Sequence, residues 1–358
     1  MAKYDIVYKN LNIRGRLTDI GVKDGKIAKI GKISAKGIDM EGFETRAGLV
    51  DIHTHGMGGI DTMDGDLEAL VKLYASEGTT TVCPTTMTAS REDVAKILST
   101  PFPKCGAKIA GFHAEGPYIS EKKAGAQNRE HIRKPDKEEL SKFGSVSLVT
   151  VAPEVEGAIE YIESESKNAV ICVGHTGADY DTVCRAADAG ANCVTHLYNT
   201  MPPLHHREPS VLGAAADKDM FVQVISDGIH IHPSVVRLTY KLFTSDRMVL
   251  ISDSMRATRL PDGEYDLGGQ LMKVENSVAR TPDGALAGST STLFDCVKCA
   301  ISFGIEPDEA YKMASETPAK LLGLNCGKIE VGYDCDLILI NKDGSLAKVI
   351  IDGKIIKQ

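Results

Sequence analysis

Two histidines in the segment GLVDIHTHGMGG, residues 48–59, are spaced for chemistry. His53 and His55 are two residues apart, and on an extended chain such side chains point to the same side. Apolar residues precede the pair and glycines follow it, which places the pair at the end of a predicted strand. The arrangement suits a transition-metal site. The alternative is a half-buried strand that carries two structural histidines.

Further chemically active residues stand where other short apolar runs end. Of the ten histidines, six lie at or shortly after the end of such a run. The eight runs are 47–52, 79–84, 108–113, 146–151, 169–174, 191–196, 221–226 and 247–252. The residues at or beyond their ends are His53, His55, His113, Glu115, His175, His196, His230 and Asp253.

The alternation of these runs with helix-like stretches predicts an α/β fold. Near-continuous apolar strands between helices are typical of a parallel sheet covered on both faces. Eight of them predict a (β/α)8 TIM-like barrel over residues 47–324, with its active site at the carboxyl ends of the strands. Both ends of the chain, 1–46 and 325–358, are instead rich in short strands and turns, so we expect them to pair into one small β domain.

Composition excludes several classes of partner. The chain has 358 residues and a formal net charge of −8, which argues against nucleic acid or an anionic membrane as the main partner. No apolar run approaches the ~18 residues of a membrane span. The nine cysteines lie mostly in apolar runs and predict buried free thiols in the cytoplasm, a reducing compartment. Cys296 and Cys299 form a C-x-x-C, but their segment is typical of an amphipathic helix.

Carboxylates complete the predicted site. Glu115, His175 and His196 make up a set of two histidines and one glutamate that is known from catalytic zinc centres. His53 and His55 could hold a second ion, with Glu115 bridging the two. Zn²⁺ and Fe²⁺ both suit these ligands, and one or two ions per subunit are possible.

Asp253 has two interpretations. As a carboxylate at the end of the eighth run, it could accept a proton from an activated water and later return it to a leaving group. It could also be the N-cap of a following helix. We favour the catalytic role. His113 is interpreted as a packed histidine next to the site.

The motifs of the chain resemble the amidohydrolase superfamily and, within it, the N-acetylglucosamine-6-phosphate deacetylase family. The matching segments are GLVDIHTHG, GFHAEGPYIS, VGHTGADY, THLYNTMPPLHHREP, SDGIHIHP, LISDS and LAGS. The resemblance implies a (β/α)8 barrel with a small β-sandwich from both termini, a homodimer, and metal-dependent hydrolysis of the acetamide of a sugar phosphate. Open alternatives are the galactosamine epimer, another amidohydrolase acting on an N-acyl substrate, and a barrel without catalysis.

The resemblance also implies roles for individual residues. Glu115, His175 and His196 are the principal metal ligands, His53 and His55 hold a second ion in some members, and Asp253 is the catalytic acid and base. Arg207 and His230 match phosphate and sugar contacts, and one of the two reaches in from a neighbouring subunit in this interpretation. The complete predicted substrate set is Ala126, Gln127, Asn199, Thr200, Arg207, His230, Leu286, Ala287 and Gly288.

Gln127 departs from the family pattern. Family members often carry a histidine at this position. A glutamine can donate and accept hydrogen bonds but cannot carry a proton in catalysis. We therefore expect Gln127 to bind substrate without acid–base work, or to indicate a shifted sugar preference.

Overall fold

Eight parallel strands form the centre of the computed structural model, which describes residues 3–357. Each predicted apolar run overlaps one of them, so the predicted barrel is confirmed. Strand residues alternate between the barrel interior, as Leu148 does, and the helix-facing side, as Val149 does. The barrel strands are Leu49–Thr54, Thr79–Thr86, Phe112–Glu115, Val146–Val151, Val170–Val173, Cys193–Val194, Phe221–Ile225 and Met248–Ile251, with Lys108–Ile109 as a short addition beside the second.

The first and last barrel strands meet at a seam without a regular ladder. Neighbouring strands pair in register from the first strand to the eighth, and the barrel is nearly closed. Across the seam, the Asp253 N–H donates to the carbonyl oxygen of His53 at 2.9 Å. The Ser252 N–H lies 3.3 Å from Oδ1 of Asp51. The backbone hydrogen bond that links the first and eighth strands therefore also links two predicted site residues, His53 and Asp253.

Helices follow the barrel strands and cover them. Many begin with a side-chain cap, as where the Thr292 hydroxyl accepts from the Asp295 N–H, which satisfies an otherwise free backbone donor. Within the described part of the chain, no helix has the length and apolarity to cross a membrane. The α-helices are Leu67–Ser76, Arg91–Leu98, Lys137–Leu140, Ala158–Glu165, Tyr180–Asp188, Ser210–Asp217, Pro233–Arg247, Leu293–Ser302, Pro307–Met313 and Glu316–Leu321, and the 3-10 helices are Thr62–Asp64, Glu121–Lys123 and Arg129–His131.

The C-x-x-C lies within the predicted helix, Leu293–Ser302. Cys296 is buried and Cys299 is half-buried. All nine cysteines of the chain lie among the described residues and are free thiols. Burial raises the pKa of the Cys299 thiol, so the reactive thiolate is disfavoured there.

The two ends of the chain form one sheet outside the barrel. Glu44–Ala47 pairs antiparallel with Leu337–Ile340, which joins the N-terminal to the C-terminal strands. A Cβ on Gly353 would lie 2.5 Å from Val22 near the opposite edge, so the sheet folds over its own core as a β-sandwich does. The strands are Ile6–Ile13, Arg16–Lys23, Lys26–Ile30, Ile38–Asp39, Glu44–Ala47, Leu337–Ile340, Leu346–Ile351 and Lys354–Lys357.

We propose that the two units meet at residues 46/47 and 324/325, as the sequence predicts. Residues 1, 2 and 358 of the predicted small domain lie outside the described residues. Two further sheets sit on the loops at the carboxyl ends of the barrel. They are the pair Gly56–Met57 and Ile60–Asp61 and the three-stranded sheet Gly263–Leu267, Gln270–Glu275 and Val278–Arg280.

Leu339→Ala tests the core of the small β domain. Leu339 is 0% exposed in the core shared by both termini, so the substitution should lower the free energy of unfolding by about 2–5 kcal/mol. Leu17→Ala is the matched control, because Leu17 is 63% exposed in the same sheet, and its effect should stay within about 0.5 kcal/mol. Denaturant titration measures both. Equal losses in the two variants would contradict the shared core.

Candidate functional site

Six buried side chains of metal-binding type converge at the carboxyl ends of the barrel strands. They come from the first, third, fifth, sixth and eighth strands, whose carboxyl ends lie on one rim of the barrel. The convergence expected from the strand ends is therefore observed. The six residues are His53, His55, Glu115, His175, His196 and Asp253.

Three of these residues share a position and a backbone conformation. His175, His196 and Asp253 each lie two residues beyond the end of a barrel strand. Their φ angles are 47°, 26° and 47°, in the left-handed region that non-glycine residues rarely adopt. Such strain persists only where the surroundings fix it, and it is concentrated at functional sites. The sharp turn after each strand aims the side chain inward, over the barrel.

Gly174 makes room for one of these turns. A Cβ at this position would lie 2.6 Å from the Cβ of Thr195 on the neighbouring strand. The fifth and sixth strands can thus approach closely just before His175. The two turns that carry His175 and His196 therefore lie side by side.

Glu115 lies at the centre of the cluster. Its Oε1 atom is 3.0 Å from Nε2 of both His175 and His196, and 3.3 Å from Nε2 of His53. Its Oε2 atom is 3.2 Å from Nε2 of His55. One carboxylate thus contacts four imidazoles, three through one oxygen and one through the other.

Asp253 faces the same space from the other side. Its Oδ1 atom lies 3.4 Å from Nε2 of both His53 and His55. It follows the eighth strand without starting a helix, so the predicted alternative role as a helix N-cap is not supported. Two groups of potential ligands result: Glu115, His175 and His196, and beside them His53, His55 and Asp253.

The donor set fits a divalent transition metal. Within each of the two groups, the ligand atoms lie within 4.8 Å of one another. Imidazole nitrogen and carboxylate oxygen are the ligands that Zn²⁺ and Fe²⁺ accept. Among residues 3–357, the buried Nε2 of His53 has no hydrogen-bond partner, although it faces two carboxylates. A cation between these atoms would satisfy it.

The ring nitrogens that face away from the cluster are mostly anchored. A metal-binding histidine usually donates its other N–H to a fixed acceptor, which sets the tautomer. Three of the four histidines here have an oxygen acceptor at Nδ1, which leaves Nε2 with its lone pair pointing into the cluster. The contacts are His53 to Oε1 of Gln223 at 2.9 Å, His55 to the Thr85 carbonyl at 3.2 Å and His175 to the Lys123 carbonyl at 3.0 Å.

The charges of the cluster depend on one another. Burial raises the pKa of Glu115, but His53 and His175 outweigh this and hold the pKa well below its usual range. Burial likewise raises the pKa of Asp253, and His53 and His55 reverse the shift to a lowered pKa. Both carboxylates are therefore ionised at neutral pH, although they are buried.

A cavity of about 300 Å³ opens above the cluster. Eight of the nine predicted substrate residues line it, together with five of the six cluster residues. His53 lies beneath the cavity, since it is absent from the lining and fully buried. The predicted substrate residues on the wall are Ala126, Gln127, Asn199, Thr200, His230, Leu286, Ala287 and Gly288.

Gln127 is held by two hydrogen bonds. Its Nε2 donates to Oε2 of Glu115 at 2.6 Å, and its Oε1 accepts from the Thr88 N–H at 2.7 Å. The amide therefore orients the central carboxylate as well as lining the cavity. A role in substrate binding stays a prediction.

His230 is paired with a carboxylate of its own loop. Its Nδ1 lies 2.7 Å from Oδ2 of Asp227, and both side chains are buried. Burial opposes the charged imidazole, but Asp227 raises the pKa of His230. An imidazole on the cavity wall can hydrogen-bond to an anionic or hydroxyl-rich ligand.

Arg207 and His113 lie away from the cavity wall. Arg207 is exposed on the loop 202–209, where its guanidinium contacts Nε2 of His206 at 2.7 Å. His113 is buried beneath the site between the Ile52 carbonyl and the Thr150 hydroxyl. Burial lowers the pKa of His113 well below its usual range, so it stays neutral, as expected of a packed histidine.

Several residues of the site were not predicted from the sequence. Met87 directly follows the second barrel strand, and applying the strand-end rule to that strand would have found it. Neighbours of predicted residues, such as Tyr198 beside Asn199, could also have been found. Leu267 and Gln223 gave no local signal. The missed wall residues are Met87, Gly125, Tyr198, Leu267 and Ala285.

Comparison with known proteins gives a consistent result. The model of the amidohydrolase family matches residues 46–356. An N-acetylglucosamine-6-phosphate deacetylase of Lysinibacillus sphaericus is 36% identical, over 98% of this chain and 96% of its own. The crystal structure of such a deacetylase from Thermotoga maritima matches with a TM-score of 0.90 and 33% identity, over 99% of this chain and 100% of that chain. An N-acetylgalactosamine-6-phosphate deacetylase of Escherichia coli O157:H7 is 34% identical, over 93% of each chain.

Glu115→Gln tests the cluster as a metal centre. The substitution removes the charge that four imidazoles share, so the metal content of the purified protein should fall by at least about tenfold. Elemental analysis after dialysis measures it. Glu165→Gln is the control, since Glu165 is a buried glutamate on an outer helix and should keep the wild-type content. Unchanged metal in the Glu115 variant would contradict the assignment.

Proposed function

Because this chain belongs to the amidohydrolase family, we propose that it hydrolyses N-acetyl-D-glucosamine 6-phosphate to D-glucosamine 6-phosphate and acetate. The observation that carries the proposal is the convergence of four histidines and two carboxylates on the floor of one cavity. The wall of that cavity holds the residues that match the deacetylase motifs. The relatives named above, which match over nearly their whole length, support it.

The metal centre is the first part of the proposal. Glu115, His175 and His196 would hold one divalent ion, zinc or iron. His53 and His55 would hold a second, with Asp253 beside them. When bound, such an ion supplies Lewis-acid chemistry, because it polarises a carbonyl and lowers the pKa of water toward about 7.

Asp253 is the proposed catalytic acid and base. It is ionised and lines the cavity beside His53 and His55. It would take the proton of that water and then give it to the departing amine nitrogen. Amide hydrolysis needs this second transfer, because an unprotonated amine is a poor leaving group.

The cavity wall would orient the sugar. His230, which pairs with Asp227, presents a polar imidazole edge whose pKa is raised. Asn199 is fixed by its own amide, which donates to the carbonyl of His196 at 3.2 Å. The segment 286–288 closes the wall opposite with small and apolar groups that suit an acetyl methyl.

Arg207 is the proposed phosphate contact. A guanidinium can grip two phosphate oxygens at once. Its loop is exposed and lies outside the cavity of its own chain. We therefore propose a cytoplasmic homodimer in which Arg207 serves the cavity of the partner copy.

The galactosamine epimer is the second candidate substrate. A relative that is 34% identical carries the name N-acetylgalactosamine-6-phosphate deacetylase. The two sugars differ only in the orientation of one hydroxyl. An enzyme that hydrogen-bonds a substrate hydroxyl can reject the wrong isomer strongly, so turnover rates can separate the two.

Asp253→Asn and a panel of three sugars test the reaction. The wild type should release free amine from N-acetylglucosamine 6-phosphate faster than from its galacto epimer or from unphosphorylated N-acetylglucosamine. Asp253→Asn should lower kcat by about 10²–10⁴-fold, because the amide neither accepts nor returns the proton. The metal content of each preparation is measured alongside. No amine release by the metal-loaded wild type would contradict the proposed substrate.

Arg207→Ala tests the phosphate contact. KM for the phosphorylated sugar should rise by at least about tenfold, since a charge-assisted contact is lost, while the slow reaction of the unphosphorylated sugar is unchanged. Arg185→Ala, at an exposed arginine on the helix Tyr180–Asp188, is the control and should leave both unaltered. Equal rises for both sugars would remove the phosphate role from Arg207.

A further inference from the structure

His53 differs from the other three histidines of the cluster in how its outer nitrogen is held. His55 and His175 donate from Nδ1 to backbone carbonyls, which no substitution of a side chain removes. Nδ1 of His196 has no hydrogen-bond partner among the described residues. His53 alone of the four relies on another side chain, the amide of Gln223, whose Oε1 lies 2.9 Å from its Nδ1.

Gln223 is placed where a polar side chain is unusual. It is 0% exposed and lies in the seventh barrel strand with its amide in the barrel interior. Within residues 3–357, the hydrogen-bond partners of its Nε2 are both sulfur atoms, of Cys172 at 3.8 Å and of Cys193 at 3.9 Å. Thiols are weak hydrogen-bond partners, so the contact to His53 is the strong hydrogen bond that this buried amide makes.

The chemistry of an amide oxygen fixes the state of the imidazole. Such an oxygen accepts hydrogen bonds and cannot donate them, so Nδ1 of His53 must carry the hydrogen. In a neutral ring Nε2 then holds the lone pair, and it faces Glu115 at 3.3 Å and Asp253 at 3.4 Å. If the amide turned over, its N–H would face Nδ1 and favour the other tautomer, which presents a hydrogen to the cluster.

We propose that Gln223 is a positioning residue for His53, whose amide oxygen keeps Nε2 free to bind a divalent cation. The inference rests on the metal centre of the proposed function. It adds to that centre a residue, Gln223, that lies outside the motifs of the site. Gln223 is neutral, so it orients the ring without adding a third negative charge beside Glu115 and Asp253.

Zinc binding by the full-length protein tests the assignment. The metal-free protein is titrated with Zn²⁺ in competition with a chromophoric chelator of known affinity. The zinc binding that is lost in His53→Asn is the binding that depends on His53. Gln223→Leu should lower the affinity for that zinc ion by about 10–100-fold, the usual effect of losing the hydrogen-bond partner of a ligand histidine. Gln223→Glu should bind zinc more tightly than Gln223→Leu, because its carboxylate oxygen accepts the same hydrogen bond, and less tightly than the wild type, because it adds the buried charge that the amide avoids.

Two controls separate positioning from packing. Cys193→Ala removes a neighbour at the other end of the amide but leaves the acceptor, so it should bind zinc as the wild type does. Adding Gln223→Leu to His53→Asn should cause no further loss, since the two act through one ligand. Thermal unfolding of each metal-free variant shows whether it is folded.

The outcomes distinguish this inference from the proposed function. A wild-type protein that binds no zinc would overturn both. Wild-type affinity in Gln223→Leu, or equal weakening in Cys193→Ala, would overturn the role of Gln223 alone and leave the metal centre intact. Loss of zinc with Gln223→Leu, partial rescue by Gln223→Glu and normal binding by Cys193→Ala would support the role of Gln223.

Discussion

The structure depends on one buried carboxylate held among four imidazoles. An isolated ionised glutamate would be very costly at the position of Glu115, where the side chain is almost fully enclosed. The surrounding rings make the charge tolerable, and in return the carboxylate keeps their Nε2 atoms together. Because the carboxylate and the rings compensate each other, every element that carries one of these residues must reach the same point. The barrel provides this meeting place, because the carboxyl ends of its strands form a ring.

The residues that close the barrel in this protein also assemble its site. The seam between the first and eighth strands is bridged by the hydrogen bond from the Asp253 N–H to the His53 carbonyl. The two residues that join the barrel there also face each other across the cluster. A barrel that failed to close would separate Asp253 from His53 and His55. This coupling gives a physical reason for the strained backbone at Asp253, since the turn must serve both the seam and the site.

Two buried glutamines near the site are explained by the cluster residues to which they hydrogen-bond. The barrel interior also contains apolar side chains and thiols, such as Leu148 and Cys172. Gln223 lies among them and contacts His53, while Gln127 above contacts Glu115. Each amide forms a hydrogen bond to one residue of the cluster from outside it. The site is therefore held in place by neutral groups, which limit the negative charge that the interior must accommodate.

The sequence determined the local features of this protein. Apolar runs between helical segments set the eight strands, and the residue types at their ends indicated Glu115, His175 and His196 as metal ligands. These features depend on spacing within a few residues, which a single sequence displays. Only the tertiary structure decided how the pieces meet. The contacts between Gln223 and His53, between Gln127 and Glu115, and between the two ends of the barrel join residues 170, 12 and 200 positions apart. The geometry of these contacts follows from barrel closure. A pattern of residues along the chain does not predict it.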